Sequence, residues 1–102
     1  MITKQKGYII MKINLTHIET LGHGYLKVSL YDLKGWGFDT KSDFSSFSFI
    51  DLNTHNVYLE EDRDATKFIN TMESKGHEIN IISDYRPNFN PSDTFYILDC
   101  VA

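Results

Sequence analysis

Only one stretch of this 102-residue chain repeats its apolar residues with the period of an α-helix, and the stretches around it alternate with the period of a strand. Ala65, Phe68, Ile69 and Met72 follow the i, i+3, i+4, i+7 spacing that gathers side chains on one helical face. Asp62 stands where a side chain can cap the first turn, and Asp64 lies in that turn, where the helix dipole favours an acid. Lys75 falls in the last turn, and Gly76 supplies the left-handed stop. The pattern predicts a helix over residues 63–75 with Phe68, Ile69 and Met72 turned inward. A single amphipathic helix must bury that face, and strands are what the rest of the chain offers.

The strands read as follows. In residues 8–15, Ile9, Met11, Ile13 and Leu15 share one face and Lys12 and Asn14 the other. Leu26, Val28 and Leu30 then alternate with Tyr25, Lys27 and Ser29. Ser29 followed by Asp32 has the spacing of a helix cap, and Gly35 suits a helix stop, so a short helical turn is predicted near 30–34. Gly35-Trp36-Gly37 breaks it, and 39–45 reads as loop. Two β-rich runs, 46–52 and 57–60, flank Asn53-Thr54-His55-Asn56 and predict a hairpin. A strand follows over 78–83, then a loop over 85–93 that holds both prolines, then a final strand over 94–101 carrying Cys100. The expected fold class is α+β: an antiparallel sheet of about five to six strands with the main helix packed on one face. One domain spans residues 1–102, with 1–7 as a flexible N-terminal extension; Met11-Lys12-Ile13 also reads as an internal start.

Composition narrows the function classes. Hydrophobic residues at 41% and charged residues at 24% are globular values and exclude a disordered chain. The single cysteine excludes a disulfide framework and a cysteine-based zinc site. No apolar run reaches the roughly 18–20 residues that cross a bilayer, and the run behind Lys4 and Lys6 is too short for a signal peptide. A cytoplasmic protein without membrane partners is expected. The net charge of −4 divides into +1 over residues 1–59 and −5 over 60–102. An acidic C-terminal half argues against a phosphate-binding surface, so no nucleic-acid partner is expected. Lysine outnumbers arginine eight to two and Ile and Asn are common, as in AT-rich genomes that include many phages and mobile elements.

Two segments carry chemistry worth weighing. His23, Tyr25 and Lys27 could move protons or grip an anion, although Tyr25 and Lys27 also suit the polar face of a half-buried strand. Glu60, Glu61, Asp62 and Asp64 could bind a cation or a basic protein, although acids at a helix start also stabilise the helix itself. A calcium loop needs a glycine among its ligands, and none follows until Gly76. His17, His23, His55 and His77 lack metal-ligand spacing, so no metal or other cofactor is expected. Phe47 and Phe49 alternate as a core face does, flanked by serine and aspartate rather than by the basic residues of a base-stacking platform.

His23-Gly24-Tyr25-Leu26-Lys27-Val28, together with Val57-Tyr58-Leu59-Glu60-Glu61-Asp62 and the Asp64-Ala65 helix start, resembles a group of small uncharacterised bacterial and phage proteins over residues 12–80. Arg63 stands where that group has a cysteine, so any role of that cysteine does not carry over. The resemblance implies a shared fold and brings no activity. The expected function is a non-enzymatic protein-binding module, of the kind a phage or mobile element uses against a host protein, with a homodimer left open. The rival is a small enzyme or small-molecule binder using His23, Tyr25 and Glu60. A pocket joining His23 to Glu60 favours the rival; a flat acidic and aromatic face favours the protein binder.

Overall fold

The computed structural model describes residues 3–5 and 8–101. The chain is α+β, with a six-stranded open sheet in the order β7-β3-β4-β6-β5-β8. The strands are β3 (Lys12–Glu19), β4 (Gly24–Ser29), β5 (Phe49–Asp51), β6 (Asn56–Glu60), β7 (Glu78–Tyr85) and β8 (Tyr96–Ile97). Ahead of them β1 (Thr3–Gln5) and β2 (Tyr8–Ile10) pair as a separate antiparallel hairpin. Residues 1–7 were expected as an extension; Thr3–Gln5 form β1, and residues 1, 2, 6 and 7 lie outside the described residues. The strand expected over 8–15 divides at Met11, and its second part runs on to Glu19.

Among the described residues all sheet pairings are antiparallel except one. The sheet is the expected antiparallel one of six strands but for this pair: β7 lies parallel to β3, from Lys12 opposite Glu78 to Glu19 opposite Tyr85. The reason is the helical crossover. The chain leaves β6, crosses the sheet as a helix and returns in the same direction at the far edge, as a parallel connection must.

That helix spans 14 residues: a π-helical turn over Glu61–Ala65 continues as α2 (Thr66–Ser74). It starts and ends slightly earlier than the sequence suggests, and its cap is Glu60 rather than Asp62. The Glu60 carboxylate accepts a hydrogen bond from the Arg63 amide at 2.9 Å. The wide first turn lets two consecutive residues, Asp64 and Ala65, both point inward, which a regular α-helical turn does less readily. At the other end Gly76 (φ +89°) takes the expected left-handed stop. Its amide and that of His77 donate to the carbonyls of Glu73 (2.9 Å) and Met72 (3.2 Å).

Phe68 and Met72 are fully buried, with Ile69 partly buried beside them. They press on Ile13, Leu26, Val28, Ile50, Val57 and Leu59 from one sheet face. The short helix α1 (Leu30–Gly35) follows β4 and buries Leu30 and Leu33 in the same core, although the Ser29 side chain makes no capping bond. The loop after it adds Phe38 and Phe44, stacked at 5.6 Å, with Phe38 against Phe68 at 5.4 Å.

The last strand is shorter than expected. Only Tyr96–Ile97 pair with β5, because the next residue, Leu98, turns inward and is fully buried in the core, its amide bonded to the Ser48 carbonyl at 2.9 Å. Cys100 therefore belongs to a helical turn, α4 (Leu98–Val101), and not to a strand. A second short turn, α3 (Pro91–Thr94), precedes β8.

The opposite sheet face holds a smaller cluster of Ile18, Tyr25 and Tyr58, with Phe49, Phe89 and Phe95 packed against it. β7 and β8 are the two outer strands, so the segment joining them must cross all the strands between, a span of about 24 Å. It crosses on this second face. Phe89 meets Tyr58 at 5.1 Å and Tyr25 at 6.1 Å, and Phe95 stacks on Tyr58 at 5.1 Å.

Candidate functional site

The crossing segment roofs an open cleft of about 890 Å3 at one end of the sheet. Four parts of the chain meet there: the β3–β4 turn (Thr20, Leu21, Gly22 and His23) with the start of β4, the segment entering β5 (Phe47 and Phe49), the start of the main helix (Glu60 and Asp62), and residues 87–92. Aromatic side chains supply much of the wall, namely Tyr25, Phe47, Phe49 and Phe89. Asn88, Asn90 and Ser92 add hydrogen-bonding groups, and among the described residues no lysine or arginine lines the cleft.

Each part is placed by local chemistry. Gly22 (φ +90°) lets the β3–β4 turn close, and the Thr20 amide donates to the His23 carbonyl at 2.8 Å. Tyr25 and Glu60 are direct partners across β4 and β6, so the strand register itself sets a phenol beside a carboxylate. Burial, and then the Glu60 charge, push the Tyr25 hydroxyl above its ordinary value of 10.0. Tyr58 is also pushed up, by burial first and then by Asp51. Tyr25 is only 8% exposed, so it does not belong to a polar strand face as the alternation suggests, and Tyr58 beside it is only 7% exposed.

The structure separates the residues singled out from the sequence. His23, Tyr25, Glu60 and Asp62 share the cleft. Lys27 does not line it and lies exposed further along β4, opposite Thr16 and Tyr58. Glu61 turns to the other face, where its carboxylate lies 3.9 Å from His17 Nε2, and Glu19 lies 3.8 Å from His17 Nδ1. Gly24 lies beneath them: a Cβ there would stand 2.5 Å from the Glu61 carboxylate and 2.7 Å from the His17 ring, so those side-chain ends would have to shift.

Asp64 is an internal anchor, 1% exposed. It accepts from the Ser45 amide at 3.0 Å, from the Ser45 hydroxyl at 2.7 Å and from the Ser48 hydroxyl, and Ser48 Oγ in turn accepts from the Glu60 amide at 2.9 Å. Phe47, between those serines, is 59% exposed. Anchoring Ser45 and Ser48 to Asp64 turns Phe47 outward to the cleft, which corrects its assignment to a core face. The sequence does not single out Phe89 and its neighbours, because a loop has no period; Pro87 and Pro91 bracketing one aromatic are its sign of a stiffened segment. Among the described residues no cluster of three or more histidine, cysteine or acidic side chains has the geometry to hold a metal ion. No helix among them is long and apolar enough to cross a membrane. Comparison with family models, curated proteins and solved structures finds no match to this chain.

Proposed function

We propose that this protein is a small-molecule-binding module whose cleft takes a cationic ligand with a flat or methylated apolar body. The observation that carries this reading is a single cleft joining His23 to Glu60, with aromatic walls and carboxylates from Glu60 and Asp62. Aromatic faces attract a cation through their quadrupoles, and a carboxylate nearby adds charge attraction without a competing basic side chain. The division of the acidic segment also favours a concave site over a flat acidic face, since Glu61 serves His17 and Asp64 serves the loop. Glu60 already holds the Arg63 amide, which suits a fixed charge for binding better than a mobile base. A second reading, in which the cation is a lysine or arginine side chain of a basic protein, draws support from Leu21 and Phe47, exposed at the cleft.

The test uses benzyltrimethylammonium, benzyl alcohol and benzoate as probes, followed by amide chemical shifts. The cation should bind and shift amides at residues 21–23, 60–62 and 88–90, the alcohol should bind more weakly, and benzoate should leave them unmoved. Replacing Glu60→Gln together with Asp62→Asn should lower affinity for the cation about tenfold or more. Glutamine keeps an oxygen for the Arg63 amide, so the helix cap survives the change. Equal binding of benzoate, or no response to the cation, overturns the reading.

A further inference from the structure

We propose that two copies of this chain pair through the outer edges of β7, antiparallel about a two-fold axis at Ile82. β8, at the far edge of the sheet, has two residues, whereas β7 has eight and forms the opposite edge. Short edge strands resist pairing, while a long one presents a row of unpaired backbone groups. The backbone fixes which groups face outward. The amides of Glu78 and Arg86 donate inward, to the carbonyls of Met11 (2.9 Å) and Glu19 (2.7 Å). Because direction alternates along a strand, Ile79, Ile81, Ser83 and Tyr85 turn their amides and carbonyls away from β3.

An antiparallel partner must bond to those odd-numbered residues, which leaves few registers. Centring the two-fold on Ile82 pairs Ile79 with the second copy's Tyr85 and Ile81 with its Ser83, so every outward residue is satisfied. It also places Ile82, 67% exposed, against its own copy at a close non-hydrogen-bonded position, with Cα atoms about 4.5 Å apart. Charge selects the same register. Glu78 then faces the second copy's Arg86, and within one chain Lys12 already lies 3.6 Å from Glu78 and Asp84 2.8 Å from Arg86. The row across the junction reads Lys12, Glu78, the second copy's Arg86, the second copy's Asp84, alternating in sign throughout. Moving the axis to Ile81 would set Glu78 against the second copy's Asp84 and leave Tyr85 unpaired. This self-complementarity is why the occupant is a second copy and not an unrelated strand.

Sedimentation equilibrium of the full chain should show a concentration-dependent dimer. Ile82→Lys sets two like charges face to face at an exposed position and should raise the dimer dissociation constant roughly tenfold or more while leaving the melting curve of the monomer intact. In a Cys100→Ala background, Ile82→Cys should form a disulfide-linked dimer under mild oxidation, and Asn80→Cys should not. A monomer at every concentration overturns the proposal. So does a dimer indifferent to Ile82→Lys, or cross-linking at residue 80 equal to that at 82.

Discussion

At the scale of single residues, Asp64 has the widest distance between sequence position and structural role. Its place in the first helical turn suggests a surface acid facing the dipole, yet its carboxylate is buried and is surrounded by donors from Ser45 and Ser48. Hydrogen bonds to a charged acceptor are individually strong, and removing the acceptor leaves the buried Ser48 hydroxyl and the half-buried Ser45 donors without it. Asp64→Ala should therefore cost about 3 kcal/mol in urea unfolding, well beyond the roughly 0.3–1 kcal/mol expected from a dipole effect alone. A loss below about 1 kcal/mol would return Asp64 to the surface role. Gly24 shows the same gap between sequence and role. It opens a strand, and what its missing side chain leaves room for is the pair of His17 and Glu61 side-chain ends above it.

Among the elements, those recognised in the sequence are the ones whose signals are local. The main helix carries its apolar period and its stop within one short window, and the 49–60 hairpin has its turn residues between its strands. Even the cap error is local: Glu60, two residues before Asp62, has the longer side chain and reaches back to Arg63. What the sequence does not disclose depends on distant partners. Nothing near Phe89 or Phe95 signals that they cover Tyr25 and Tyr58, and nothing near Tyr96 signals that Leu98 will leave the sheet for the core. The cleft inherits this limit, since His23 and Glu60 stand out by residue type whereas the segment that roofs them carries no local signal. Phe89→Ala should cost roughly 1–3 kcal/mol, less than for a fully buried phenylalanine because Phe89 is half-buried. It should also speed proteolysis within residues 86–90, and unchanged cleavage there would show that the segment is held by something other than its aromatic contacts.

At the scale of the whole molecule, the two raised tyrosine pKa values make an alkaline prediction. Tyr25 and Tyr58 hold their protons in the fold at a pH where the unfolded chain, with its ordinary value of 10.0, has begun to lose them. The folded state then binds more protons than the unfolded one, so stability should be full below about pH 10 and fall as pH rises through and beyond it. Replacing both with phenylalanine should flatten that decline, and an identical decline in the double variant would assign it elsewhere. The crossing segment has a further consequence, in the order of synthesis. Tyr25, Phe49 and Tyr58 emerge from the ribosome long before Phe89 and Phe95, and β3 waits as long for β7. For that interval one sheet face is greasy and one strand edge unpaired. The nascent chain is most vulnerable to chaperones and to its neighbours after the main core has begun to form, and it becomes safe only when the residues beyond Tyr85 arrive.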